Sequence, residues 1–289
     1  MKILRFIGSC VIVMNNISED LLVEQRRKND FANHLQAEVL SNSLLDQVVK
    51  MHQEGCWISE IMYEYEEELL EWMELVEFTD IIPKYYEKSF QFQIEQKTIE
   101  RTRSCRTFKE NWNINADDFG TILRDSFGRF SNTLTKNYPS AGGLYPVLPL
   151  VYVFDEGVLK GISVKGCYLF HSSKNELILL KEYDEELLNL VINQINPSDR
   201  SLFSKIAIGY AIDLKRAITK YRKRGYRYAL IEIGAMCQSF RETLSRFDSS
   251  LGEFCFAGFN DNALTHLSGL NARLAPVTLI QWFGERNDI

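Results

Sequence analysis

The sequence predicts an α+β fold, a sheet flanked by helices and preceded by a mainly helical N-terminal module. Three observations carry this reading. Strand-like and helix-like segments alternate through the last two thirds of the chain without a regular βαβ rhythm, which suits an α+β sandwich better than a doubly wound sheet. A long amphipathic helix over 226–247 places Leu230, Ile233, Cys237, Phe240 and Leu244 on one stripe. The first 97 residues are rich in glutamate, nearly free of glycine and helical in period. Residues 1–97 are therefore expected to form an accessory module and residues 98–289 the main domain.

A chain of 289 residues can bury a proper core as one large or two modest domains. Its net charge of −6 argues against nucleic acid as the main partner. The six cysteines, at 10, 56, 105, 167, 237 and 255, form neither Cys-x-x-Cys nor a Cys/His zinc spacing. They read as reduced thiols of a cytoplasmic protein, and no metal site is expected. The opening stretch Met1 to Met14 has its apolar run broken by Arg5 and no small-residue cleavage site after it, so it reads as a buried strand. No apolar run reaches bilayer-spanning length, so a soluble protein with no membrane partner is expected.

Along the chain, Leu44, Leu45, Val48, Val49 and His52 share one helix face, and Gly55 ends that helix. Ser59 with Met62 three positions on is a candidate start for the next. From Glu60 to Asp80, acids alternate with Leu69, Leu70, Trp72, Met73 and Val76 at helical spacing. That run reads as a solvated helix face, with a docking surface for a basic partner as the alternative. Ser89 to Glu95 alternates like a half-buried strand, and short helices with one strand would suit a winged-helix-like module. Asn115 is an N-cap candidate with Asp117 and Asp118 in the first turn, Phe119, Ile122, Leu123 and Phe127 on one face, and Gly128 as the stop. Strands are expected at 150–154, 166–171, 176–180, 203–211 and 277–283. Gly234, in the middle of the long helix, costs roughly 1 kcal/mol against alanine, which suggests that something packs closely on it.

The motifs that bear on chemistry lie between these elements. Pro139-Ser140-Ala141-Gly142-Gly143-Leu144-Tyr145-Pro146 leads straight into an apolar strand. Two glycines let main chain approach a flat ligand in dihedrals closed to other residues, although a tight turn before a strand would use the same residues. Upstream, Arg103-Ser104-Cys105-Arg106-Thr107-Phe108 sets two arginines around a serine, and guanidinium forks with a hydroxyl suit a phosphate. A phosphate clamp followed about thirty residues later by a glycine-rich loop suggests a phosphorylated planar cofactor. The basic cluster Lys215, Arg216, Lys220, Arg222, Lys223, Arg224 and Arg227, interleaved with Tyr221, Tyr226 and Tyr228, reads as a solvated helix, a substrate groove or a single-strand nucleic-acid surface. None of the four histidines pairs with another at metal spacing. Cys105 reads as a small residue in a turn. No nucleophile elbow and no Walker or Rossmann glycine spacing occurs, so hydrolase, ATPase and NAD-binding readings have no support.

Taken in order, these blocks resemble the nitroreductase-like FMN flavoproteins, and within them the McbC/SagB-type azoline dehydrogenases. The resemblance spans roughly residues 100–285, and 45–70 more loosely. It implies that Arg103, Ser104 and Arg106 hold the FMN phosphate. Pro139, Ser140, Ala141, Gly142 and Leu144 would then lie along the isoalloxazine, with Gly258 near its N5 region and the Ser140 hydroxyl at the ring edge. Thr102 stands where many relatives carry a further arginine. Lys220 and Tyr221 match the family's catalytic Lys-Tyr pair, and 256–261 and 275–284 also follow the pattern. Lysine and tyrosine both titrate near 10 in isolation, and an adjacent ammonium favours a phenolate. Tyr221 is thus read as the base with Lys220 tuning it, or the reverse. The resemblance further implies oxidation of thiazolines or oxazolines to azoles in a ribosomally made precursor peptide. The implied assembly is a homodimer working with a YcaO-type cyclodehydratase and a leader-peptide-binding subunit. A stand-alone FMN reductase of nitro compounds or quinones using NAD(P)H, or a non-catalytic scaffold subunit, are the alternatives.

Overall fold

A computed structural model of the chain describes residues 19–57, 67–76, 79–82, 84–92, 103–129, 135–197 and 199–287. The expected strand at Met1 to Met14, the helix start at Ser59 and Met62, and Thr102 lie outside the described residues.

At the centre stands a six-stranded antiparallel sheet. Its strands are β2 (Val147–Val153), β4 (Gly166–His171), β5 (Glu176–Glu182), β6 (Ile206–Ile212), β7 (Leu251–Phe256) and β8 (Val277–Glu285), in the order β5-β4-β2-β6-β8-β7. A short parallel pair, β1 (Ile114–Asn115) with β3 (Leu159–Lys160), lies apart from it. The central strands β2 and β6 are nearly continuous apolar runs because both of their faces are covered. Their side chains alternate between two cores. Val151, Val153, Ile208 and Tyr210 join Ile122, Phe127, Phe240 and Phe283 under α4 (Ala116–Phe127) and α7 (Lys223–Phe247). Leu150, Tyr152 and Ala207 join Val191, Leu264 and Trp282 under α5 (Glu185–Ile195) and α8 (Asp261–Leu267). Asn115 caps α4 without a side-chain cap bond, its amide turning to Asp118 at 3.2 Å instead, and Gly128 ends the helix as expected.

Two N-terminal helices pack onto this body. α1 (Glu19–Val39) and α2 (Asn42–Gln53) lie against α6 (Leu214–Tyr221) and α7, and Leu40, Leu45 and Val48 enter the first core. Polar ties reinforce the joint. The Tyr226 hydroxyl is 2.9 Å from His52 Nδ1, Gln53 and Asn262 exchange amide bonds at 2.9 and 2.7 Å, and Asp46 pairs with Arg273. By contrast α3 (Glu67–Val76) presents Leu69, Trp72 and Leu75 to solvent, Leu75 at 75% exposure.

Three expectations are corrected here. No strand forms over 89–92, where Phe90 and Phe92 are exposed, and 93–95 lie outside the described residues. An alternating pattern makes a strand only when a sheet edge takes its backbone hydrogen bonds, and none does so here. Leu230 is 43% exposed rather than part of the α7 stripe. The buried arc holds Ile233, Cys237, Phe240 and Leu244 as expected, together with Gly225, Ala229, Glu232 and Met236, and Leu230 sits just beyond its edge. Among the described residues no other element comes within 4 Å of a Cβ built on Gly234, so the expected close packing is not found there.

Candidate functional site

The loop before β2 is held open by its backbone. Gly142 and Gly143 have φ of +64° and +66°, and Tyr145 has φ of +48°, a region glycine enters freely and other residues enter at a cost. Across from Gly142 come the ends of two side chains from the last turn of α6. A Cβ added at Gly142 would stand 2.7 Å from the Tyr221 hydroxyl and 2.9 Å from Lys220 Nζ. The sequence places them there through α6 itself. Asp213 caps that helix by accepting from the Arg216 N–H, and Asp213 N–H donates to the Pro146 carbonyl at the root of the loop. At the C-terminal end Arg222, at φ +53°, turns the chain directly into α7. Lys220 Nζ lies 5.1 Å from the Tyr221 ring centre, and that ring meets Tyr228 edge-on at 5.3 Å. An ammonium and a phenol therefore converge on bare main chain, an arrangement able to exchange a proton with a group lying flat on the loop.

Beneath the loop is a second, buried set. The Ser140 hydroxyl donates to Glu232 Oε2 and accepts the Tyr145 N–H at 2.8 Å. It is engaged inside the loop rather than presented at an edge. Glu232 is buried, and burial raises its carboxyl above the ordinary value against the opposing pull of the Ser140 bond and of Lys136. Lys136 is itself buried and pushed down to about 8, chiefly by desolvation and then by Arg129. Its ammonium donates to Ser172 at 2.9 Å.

The arginine segment lies elsewhere. Cys105 N–H donates to the Glu253 carbonyl, and Asn287 N–H to the Thr107 carbonyl, so 104–108 runs beside β7 and the end of β8. Arg103 and Arg106 are exposed, and among the described residues no carboxylate pairs with either. Arg106 stands 5.9 Å from the Phe254 ring centre. Arg241 of α7 reaches Ser104 Oγ at 3.4 Å while paired with the buried Glu253. Gly258 follows β7, and a Cβ there would press on the Phe256 ring at 2.9 Å.

One chain thus brings Lys220, Tyr221 and Pro139–Leu144 together and leaves Arg103–Arg106 apart. The loop leads into β2 beside the end of β6, which itself meets the start of β8, while the clamp adjoins the end of β8, and nine strand residues span about 26 Å. Along α7 the loop's partner Glu232 and the clamp's partner Arg241 stand nine residues apart, about 13 Å.

A model of the nitroreductase family matches residues 99–271. The chain belongs to the nitroreductase family. It is 27% identical over 156 residues to the microcin B17-processing protein McbC of Escherichia coli, a stretch covering 54% of this chain and 56% of McbC. The chain therefore spans little more than half the length of that curated relative. Among solved structures it is similar to a chain of the E. coli microcin synthetase McbBCD complex with truncated pro-MccB17 bound. The TM-score is 0.73 at 21% identity, covering 88% of this chain and 97% of that one. A protein of Ralstonia eutropha described as a nitroreductase gives 0.52 at 16% identity, covering 65% and 80%. These likenesses show the nitroreductase fold, with an N-terminal helical region ahead of it.

Within that fold the sequence reading missed Glu232, Lys136 and Arg241. Glu232 carried a usable signal: it falls on the core-facing arc of α7, where a carboxylate needs a partner. Arg241 carried none, because its neighbour Ser104 is 137 residues away. Among the described residues no cluster of histidine, cysteine or acid could hold a metal, and no helix is long and apolar enough to cross a membrane.

Proposed function

We propose that this protein is an FMN-dependent dehydrogenase that oxidises thiazolines or oxazolines in a ribosomally made precursor peptide to thiazoles or oxazoles. The observation that carries the reading is the meeting of the Lys220 ammonium and the Tyr221 phenol at Gly142. The residues present fit the cofactor. The Gly142 cradle excludes any side chain, and Arg103, Arg106 and Ser104, with Arg241 beside them, offer the cationic forks a phosphate needs.

Oxidation of an azoline removes a proton from the ring α-carbon and a hydride from the β-carbon, with aromatisation as driving force. FMN, when bound, supplies the hydride acceptor. The chain's own groups handle the proton: Tyr221 or Lys220, which meet at Gly142, receives it.

The separation of clamp from loop supports a homodimer in which each site takes Arg103, Ser104 and Arg106 from one copy and 139–144 from the other. The outward face of α7, with Leu230, Ile231 and the unfilled Gly234, is a suitable seam. The likeness to the McbBCD synthetase supports an assembly with a YcaO-type cyclodehydratase, a leader-peptide-binding subunit and the precursor, in the cytoplasm. Tyr221→Phe and Lys220→Ala, each assayed for loss of one hydrogen molecule per ring by mass spectrometry on an azoline-bearing peptide, test the assignment. Both should retain flavin and lose oxidation. Full oxidation rates in both variants with flavin bound would remove the reading, and rapid bleaching of the flavin by NAD(P)H would point to a stand-alone reductase.

A further inference from the structure

Glu232 is 3% exposed on the buried arc of α7, between Ala229 and Met236. A carboxylate in such a place carries a desolvation cost unless bonds fix it. Its Oε1 has no hydrogen-bond partner among the described residues, whereas Oε2 takes the Ser140 hydroxyl. Ser140 Oγ in turn accepts the Tyr145 N–H at 2.8 Å. This chain of bonds closes a turn whose residues Gly142, Gly143 and Tyr145 all have positive φ. Tyr145 is not glycine, so its conformation persists only where surroundings over-determine it. Its hydroxyl is held by the Lys136 N–H at 3.2 Å, and its ring lies 4.7 Å from the Arg129 guanidinium and edge-on to Tyr138 at 5.8 Å. The small cavity under the loop is lined by Ser140, Tyr221, Tyr228 and Glu232 together.

We propose that Glu232 is a positioning residue: through the Ser140 hydroxyl it locks the 140–145 turn and so sets Gly142 against Lys220 and Tyr221. The consequence for catalysis rests on the dehydrogenase reading; the lock itself does not. A buried acceptor here explains why an α7 core position carries a carboxylate at all. A hydrophobic residue would fill the space and leave the Ser140 hydroxyl without its acceptor.

Hydrogen–deuterium exchange of the purified full-length protein tests the lock in Ser140→Ala, Glu232→Ala and Glu232→Gln. In the two alanine variants the peptide covering 140–146 should exchange about tenfold faster or more, while β2 from 148 to 153 keeps its protection. The glutamine variant keeps an acceptor oxygen and should stay near the wild type. The FMN dissociation constant should rise in the alanine variants and return in Glu232→Gln. Unchanged exchange of 140–146 in Ser140→Ala overturns the proposal. So does a glutamine variant as fast as the alanine one, or acceleration spread equally through β2 and β6, which is loss of general stability. Should Glu232→Ala not fold, Ser140→Ala decides. Protein that takes up no FMN counts against the cofactor reading and leaves the exchange result intact.

Discussion

At Gly142 a single missing Cβ governs what the site can hold. Any side chain there would meet the Tyr221 hydroxyl and Lys220 Nζ under 3 Å away, and φ of +64° adds backbone strain. Gly142→Val should abolish flavin binding, read by FMN titration, while circular dichroism shows a folded protein. Arg106→Ala should weaken FMN binding by about tenfold or more through loss of a charge-assisted bond, and unchanged affinity removes the phosphate assignment. The turn at Gly142 was legible because its glycines are a short-range feature, whereas Lys220 and Tyr221 stood out only through the family resemblance. Glu232 and Arg241 were not legible, because their meaning comes from Ser140 and Ser104, residues distant along the chain. The Ser140 hydroxyl was legible as small and polar but not in its direction, since Glu232 claims it.

Between elements, two joints decide how the site is held. The first is α6 against α7, where a Cβ at Gly225 would fall 1.9 Å from the Ala217 carbonyl oxygen. Gly225→Ala must push the helices apart, at about 1–3 kcal/mol or more, and thermal unfolding should show it together with weaker flavin binding. The second is α2 against α7 and α8, through His52, Tyr226, Cys56 and Asp261. Burial lowers the His52 pKa and pushes the Cys56 thiol up to about 12, with Asp261 adding to the rise. A histidine kept neutral in the fold takes up its proton first in the unfolded chain, so this joint loses stability as pH falls below about 6.5. Asp261 and Glu232, whose carboxyls are raised by burial, act in the opposite sense at lower pH. The comparison is therefore His52→Gln with wild type: the variant should show a flatter fall in denaturation midpoint from pH 6.5 to 5. Equal slopes would leave His52 without a titrating role. Most strands and the long helix were legible from their periods, with ends moved by up to a few residues. β7 was not, because Leu251–Phe256 is short and carries a glycine and a buried glutamate that answers Arg241 and Gln281. The 89–92 pattern misled for the converse reason, an alternation with no edge to lie on.

Across the whole molecule, the surfaces left bare complement the places left incomplete. Leu230 and Ile231 are 43% and 61% exposed on the outward side of α7, with Gly234 between turns offering close approach. On the same chain the Arg103–Arg106 clamp and the Gly142 cradle occupy different ends of the sheet and of α7. In the proposed homodimer a partner copy docked on α7 would cover the exposed apolar side chains and bring its loop to this chain's clamp, apolar burial supplying the association at the seam. A charge placed at the centre of that seam must either be desolvated or keep the copies apart. Ile231→Glu should therefore give a folded monomer by sedimentation velocity, and flavin should be lost in proportion to the monomer fraction, because neither half-site suffices. Asn189→Glu, exposed on α5 over the opposite face of the sheet, is the control and should change neither mass nor flavin content. A monomeric Ile231→Glu that keeps FMN at wild-type affinity would show that one chain holds the cofactor by itself.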